Sequence, residues 1–250
     1  MEARIIARGL LAGALGGVVA FVFARVFLEP VIERAIAYED TMSEMHGHGG
    51  GHGAHEHGAE LFSRGVQANV GMGFGLLVFA AAMGALLAVL FCIAHGRVGT
   101  LAGRPLAALL SAAMLLCAFV IPALKYPPNP PAASLEETLR QRTLLYLLMV
   151  AISAALLVAA VYLGRRLVSR LGAWNAALTG AGAYVVAIGV VMAVMPTIDE
   201  TPEMFPADVL YDFRLYSLGT HVVMWATIGL VFAELIRRLL DTPTRSSIRA

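Results

Sequence analysis

Hydrophobic residues along this 250-residue chain fall into six long runs separated by polar segments. Each run has about twenty residues, which is the length that an α-helix needs to cross roughly 30 Å of hydrocarbon. The runs cover approximately residues 9–28, 69–93, 106–124, 144–163, 174–195 and 215–236. Backbone groups in lipid must form their hydrogen bonds within the protein, so the runs are expected to be helices rather than open strands. The pattern therefore predicts an all-α membrane protein, a polytopic bundle of about six transmembrane helices.

The composition agrees with this fold class. Hydrophobic residues make up 59% of the chain and charged residues 14%, whereas a soluble domain carries about 25% charged residues. The formal net charge of +1 gives no reason to expect a nucleic-acid partner. The start of the chain resembles a signal peptide, but its apolar stretch is too long for one, so we expect a retained first helix. We predict one transmembrane domain over residues 1–240 and a cytoplasmic tail over 241–250.

Basic residues flank the six runs unevenly. The side that holds both termini contains 11 of the 18 lysines and arginines. They are Arg4, Arg8, Arg97, Arg104, Arg165, Arg166, Arg170, Arg237, Arg238, Arg245 and Arg249. The positive-inside rule makes this side cytoplasmic, which predicts a multi-pass membrane protein with both termini in the cytoplasm. Fourteen of the 17 acidic residues lie on the other side, where they would attract cations, although a general need for polar outer loops explains the same bias.

The loop after the first run, residues 45–58, contains the most distinctive chemistry of the chain. It holds five histidines within twelve residues: His46, His48, His52, His55 and His57. Five of the seven residues between them are glycines, so a rigid helix or strand is not expected here. A flexible string of imidazoles suits Co(II), Ni(II), Zn(II) or Cu(II). Neutral imidazole is the ligand, so metal binding should weaken below about pH 6.5.

Five further residues are candidates for a path that leads the metal inward. His221 is the only histidine well inside a predicted helix, where ionisable side chains are often functional; a hydrogen-bonded packing role is the alternative. Asp208 and Asp212 precede it and are four residues apart, so a continuous helix places both carboxylates on one face. Glu29 and Glu33 follow the first run on the same side of the membrane. Carboxylates and imidazole suit Co(II), Ni(II), Mn(II) or Zn(II).

Motifs for catalysis or for a bound cofactor do not occur in the sequence. There is no phosphate-binding loop, no H-E-x-x-H and no C-x-x-C. Cys92 and Cys117 both lie in apolar runs, where a buried thiol is the ordinary interpretation. We therefore expect neither an enzyme nor a resident cofactor. Glycines four apart, such as Gly9 and Gly13, indicate close packing between transmembrane helices.

Several segments resemble the CbtA family, which are predicted cobalt transporter subunits of bacteria. The resembling segments are residues 8–13, 29–30, 38–39, the histidine loop, 125–131, 171–176 and 205–210 running to Arg214. They span nearly the whole chain in order, and KYPPNPP (125–131) and FPADVL (205–210) are the specific ones. The resemblance implies a cytoplasmic-membrane protein associated with cobalt supply for cobalamin synthesis. It also implies a small partner, CbtB, with one membrane span and a short histidine motif.

These observations predict a membrane permease subunit for uptake of Co(II), with Ni(II) and Zn(II) as alternative ions. The histidine loop and the outer carboxylates would gather the ion, and Glu29, Glu33, Asp208, Asp212 and His221 would lead it inward. The alternative is a subunit that binds metal and assembles a membrane complex without translocating the ion itself. A homo-oligomer is compatible with either function.

Overall fold

The computed structural model describes residues 1–47, 63–99, 101–131, 133, 136–198, 201–202 and 204–241. All secondary structure in these residues is helical. The α-helices are α1 (Glu2–Phe23), α2 (Glu29–Gly47), α3 (Arg64–Val66), α4 (Met72–Ala94), α5 (Gly103–Leu115), α6 (Ile121–Lys125), α7 (Glu136–Val194) and α8 (Ala207–Leu240). Short π-helical segments join three successive pairs of them: Ala24–Leu28, Gln67–Gly71 and Leu116–Val120.

Five helical stretches are long and apolar enough to cross a membrane, which confirms the predicted all-α class of multi-pass protein. They are Glu2–Met45, Arg64–Ala94, Gly103–Lys125, Thr138–Val194 and Ala207–Leu240. The first stretch continues well past residue 28, where the predicted hydrophobic run ends. This extension is polar on average, but it contains Glu, Ala and Met, which form helices readily whether or not they are apolar. Hydropathy alone therefore underestimates its length.

The long helix α7 is interrupted by one non-helical residue. Gly172 has φ 76° and ψ 164°, a conformation that glycine adopts without the penalty that a Cβ atom imposes. A Cβ atom built on Gly180 would lie 2.9 Å from the Ala160 carbonyl oxygen, and one built on Gly164 would lie 3.3 Å from that of Ala176. Both pairs are centred on residue 170, two residues before Gly172. The two arms of α7 form an antiparallel helical hairpin, and they contain the two predicted runs 144–163 and 174–195.

The chain divides into two compact units. The first contains Met1–Leu115 and Ala207–Ala250, and the second contains Leu116–Pro206. In the first unit, α1 packs on α4 and α8, and α5 packs on α8. Its core includes Phe91 and Phe232, which are completely buried and meet edge to face with ring centroids 5.6 Å apart.

Hydrogen bonds fasten the helices of the second unit to one another. Pro122 has no N–H, so the carbonyl of Ala118 lacks the amide that a regular α-helix would supply four residues later. The Tyr146 hydroxyl of α7 donates to that carbonyl at 3.0 Å. Between the two arms of α7, Ser153 and Tyr184 share a hydrogen bond of 2.7 Å.

The segment that follows α6 is held by a second tyrosine. The Tyr126 hydroxyl donates to the Pro196 carbonyl at 2.8 Å, and the Arg142 guanidinium donates to the Pro127 carbonyl. Burial raises the pKa of Tyr126 above its ordinary value, so this hydroxyl keeps its proton and remains a donor at neutral pH. These bonds tie the prolines at the end of α6 to both ends of the α7 hairpin.

Large apolar side chains stay exposed along α7. Val158, Val185, Val186 and Val194 each expose at least two thirds of their surface. An apolar surface of this extent is typical of contact with lipid or with another protein.

Candidate functional site

The helices α1 and α4 pack along a seam that uses every fourth residue of α1. A Cβ atom built on Gly9, Gly13 or Gly17 would lie 2.3, 2.2 or 2.9 Å from the nearest backbone atom of α4. These neighbours are Gly84, Ala80 and Leu77 in turn, so the two helices run antiparallel. The backbones touch because no side chain separates them, as the glycine spacing in the sequence predicted.

The same four-residue step continues beyond the glycines and becomes polar. Arg25, in the π segment after α1, donates from Nε to the Asn69 side-chain oxygen at 3.0 Å. One turn further, Glu29 forms an ion pair with Arg64 of α3, whose Nη2 donates to Glu29 Oε1. We call these four residues, Arg25, Glu29, Arg64 and Asn69, the polar end of the seam.

Glu29 is completely buried, with 0% of its side chain exposed, whereas Arg64 exposes 35% of its side chain. An ionised carboxylate is costly to bury without a compensating charge, and Arg64 supplies one. The contact uses one nitrogen and one oxygen, although an arginine and a carboxylate can form two parallel bonds. Glu29 Oε2 and Arg64 Nε are both buried, and neither has a hydrogen-bond partner in the described part of the chain.

Two π segments lie at this polar end. Ala24–Leu28 contains Arg25, and Gln67–Gly71 contains Asn69. Single-turn π segments are frequent at functional sites, because they re-aim side chains that a regular helix would direct elsewhere. Here they face each other across the seam through the Arg25–Asn69 hydrogen bond.

A second group of charged residues joins α2 to α8. The Arg34 guanidinium lies 2.7 Å from an Asp212 carboxylate oxygen and 3.6 Å from one of Asp208. Both aspartates thus lie on one face of α8, as their spacing predicted. The three side chains are partly or largely exposed to solvent, so this ion-pair group contributes little to folding stability.

His221 lies further along α8 and is half-buried. Its ring meets Phe79 of α4 edge to face, with centroids 6.4 Å apart. His221 therefore makes a packing contact of the kind that the sequence offered as the alternative to metal binding. Whether His221 also contacts a metal ion stays a prediction.

The structure brings some of the predicted metal ligands together and leaves others apart. Asp208 and Asp212 meet at Arg34, while Glu33 is exposed on α2. Among the described residues, no three His, Cys, Asp or Glu side chains are close enough to hold one metal ion. His46 lies in α2, but its side chain is not described, and His48, His52, His55 and His57 fall outside the described residues.

The arginines that pair with three of the predicted acidic ligands were not identified from the sequence. Arg34 and Arg64 pair with residues 178 and 35 positions away, and only the fold brings them together. One signal was available. These two arginines and Arg25 are among the seven basic residues on the side that the positive-inside rule assigns to the exterior, where basic residues are scarce.

The chain matches one known protein family over nearly its whole length. Residues 2–237 match the family model described as probable cobalt transporter subunit (CbtA). No curated protein and no solved structure matches the chain. The family match covers nearly the whole chain, from the first residues of α1 almost to the end of α8. The chain therefore belongs to the CbtA family of probable cobalt transporter subunits.

Proposed function

We propose that this chain is the membrane permease subunit of a cobalt importer, with Co(II) as its main substrate and Ni(II) as a second one. The observation that carries the proposal is the buried ion pair of Glu29 and Arg64 between two long apolar helices. Charged side chains in such helices are costly to bury and are retained chiefly where ions or substrates pass. Membership of the CbtA family supports cobalt as the transported cation.

The proposal includes six membrane crossings with both termini in the cytoplasm. It is supported by the break at Gly172, which divides the fourth apolar stretch into two antiparallel arms. It is also supported by the direction of α1, which runs antiparallel to α4 along the seam. This topology puts the polar end of the seam, Arg34, Asp208 and Asp212 on the outer side of a bacterial cytoplasmic membrane.

In this topology the cation meets the ligands in a fixed order. The histidines between residues 46 and 57 would collect Co(II) outside, and Glu33, Asp208 and Asp212 would attract it electrostatically. Glu29 and then His221 would receive it within the membrane. Because a divalent ion loses most of its water on entering hydrocarbon, it needs replacement ligands of this kind along the path.

Uptake of radiolabelled cobalt tests the proposed function. Cells that express the chain together with the small partner subunit implied by the family resemblance should accumulate cobalt above cells with an empty vector. Excess Ni(II) should compete, and growth that depends on cobalamin synthesis should recover at low cobalt. No accumulation at an equal level of membrane-inserted protein would contradict the proposal.

His221→Ala tests the inner part of the path. If His221 receives the ion, the maximal uptake rate should fall at least tenfold while the protein still reaches the membrane. His221→Phe serves as the matched control for packing, since an aromatic ring can keep the contact with Phe79 but cannot bind a metal. Uptake that is unchanged in both variants would remove His221 from the path.

The alternative is a subunit that binds cobalt but leaves translocation to its partner, and the word subunit in the family description favours testing it. The purified chain reconstituted alone in liposomes separates the two functions. Cobalt entry without a partner supports the permease. Cobalt binding without entry supports the assembly subunit.

A further inference from the structure

The ion pair between Glu29 and Arg64 is asymmetric in its access to water. Glu29 is completely enclosed, whereas about a third of the Arg64 side chain reaches solvent. Arg64 also belongs to a three-residue turn of helix that is followed directly by a π segment. Arg64 can therefore withdraw towards water with a modest change of rotamer, while Glu29 cannot leave its position without moving a long helix.

The pair is also incompletely bonded. Glu29 Oε2 and Arg64 Nε are buried without a hydrogen-bond partner among the described residues, although these are the atoms that would complete a two-bond contact. A buried ion pair that lacks its second hydrogen bond recovers less of its desolvation cost. Among the described residues, Glu29 Oε2 therefore has no hydrogen bond to give up if a second cation reaches the carboxylate after Arg64 moves.

Arg25 also attracts the Glu29 carboxylate electrostatically, but Arg64 is the residue that forms an ion pair with it. Arg25 directs its Nε to Asn69 at 3.0 Å, and Glu33 is exposed one turn after Glu29. If Arg64 withdraws, the enclosed carboxylate of Glu29 is left without its contacting cation. A divalent cation with oxygen or nitrogen ligands is the chemical class that can then restore the balance of charge.

We infer that Arg64 is the resident counter-cation of Glu29 and that an entering divalent cation displaces it. Arg64 thereby sets the cation concentration at which this position is half occupied. This inference rests on the proposed function, because it assigns a competitor to one residue of the proposed path. Arg64 acts through Glu29 and does not itself touch the ion, so it is a positioning residue.

The test compares the concentration dependence of cobalt uptake in Arg64 variants, normalised to the amount of protein in the membrane. Arg64→Gln removes the competing charge, so the half-saturating cobalt concentration should fall by about tenfold. Arg64→Lys keeps a charge but loses the planar guanidinium, and it should lower that concentration by about threefold. In Arg64→Gln combined with Glu29→Gln the gain should vanish. An unchanged or higher half-saturating concentration in Arg64→Gln overturns the inference.

Arg237→Gln is the matched control. Arg237 pairs with Glu234 at 2.7 Å on α8, so this variant also breaks an arginine–glutamate pair of the first unit, and the half-saturating concentration should not change. If Arg64→Gln fails to accumulate, Arg64→Lys alone decides: a decrease supports the inference, and no change overturns it.

Failure of the proposed function is distinguishable from failure of this inference. If wild-type cells take up no cobalt, the proposed function fails, and equilibrium binding of Co(II) to the purified chain then decides the inference. That measurement uses a background with the five loop histidines replaced by alanine. If Arg64→Gln binds Co(II) more tightly than the same background with Arg64 intact, the result supports displacement of Arg64 by the cation. Equal binding of the two proteins overturns the inference.

Discussion

The two ends of the α1–α4 seam share a four-residue spacing but differ in the residues at those positions. At the glycine end, Gly9, Gly13 and Gly17 let the helix backbones touch. At the polar end, Arg25 and Glu29 follow at the same four-residue spacing. They contact Asn69 and Arg64, which precede α4 in the chain. Contact between backbones is rigid and tolerates no addition, whereas an ion pair can exchange one partner for another. A single helix pair thus joins a fixed end to an exchangeable end, and four sets of substitutions test the comparison.

The largest effect is expected at the glycine end. Gly13→Leu places a side chain where even a Cβ atom would lie 2.2 Å from the Ala80 carbonyl oxygen. The helices must separate, so we expect more than about 3 kcal/mol loss of stability and little accumulation in the membrane. Thermal unfolding in detergent measures the loss. Gly75→Leu is the control, because a Cβ atom there meets nothing within 4 Å, and equal destabilisation by both would show that the seam is not specifically packed.

A smaller loss of stability is expected at the polar end. Arg64→Gln leaves the enclosed Glu29 carboxylate without its countercharge and should cost about 2 kcal/mol, below the usual value for a buried pair because Arg64 is partly solvated. Replacing Glu29 by Gln as well removes the unpaired charge, so the double variant should recover at least half of the loss. Unfolding titrations of the three proteins measure this, and strict additivity of the two substitutions would contradict a direct pair.

The histidine loop extends the comparison beyond the polar end. Replacing His46, His48, His52, His55 and His57 with alanine should raise the half-saturating cobalt concentration about fivefold, close to 1 kcal/mol, with a smaller change in maximal rate. The difference from wild type should disappear at about pH 5, where imidazoles carry protons and do not bind metal. Uptake kinetics at two pH values measure both effects. A fall in maximal rate alone would contradict a collecting role.

The smallest effect is expected for the solvent-exposed charges. Arg34→Gln breaks the contacts to Asp208 and Asp212, but all three side chains are at least partly solvated. We expect less than about 0.5 kcal/mol change in unfolding free energy. A loss as large as that of Arg64→Gln would show that burial does not distinguish the two arginines.

Much of the fold followed from hydropathy, because a membrane-crossing helix leaves a long apolar signal. The two runs on either side of Gly172 correspond to the two arms of α7, and the glycine spacing predicted a close helix contact. The polar continuation through α2 was not predicted, since hydropathy does not detect a helix that has left the apolar region. This extension contains Arg34, which contacts Asp212 of α8.

The candidate site was predictable only in part. The acids were visible as charged residues beside apolar runs, and the spacing of Asp208 and Asp212 placed them on one face. Their arginine partners were not visible, because pairing between residues as distant as Arg34 and Asp212 is decided by helix packing rather than by spacing along the chain.

The hydrogen bond from Tyr146 to the Ala118 carbonyl has a mechanical consequence for the second unit. The Tyr146 hydroxyl on α7 donates to a carbonyl that Pro122 leaves without its helical amide. Further hydrogen bonds link the two arms of the hairpin to each other and the segment after α6 to the end of the second arm. Sliding or rotating one of these helices alone would break at least one of these hydrogen bonds. We therefore expect the helices of the second unit to move together as a rigid body. Any conformational change during transport would then take place in other parts of the chain.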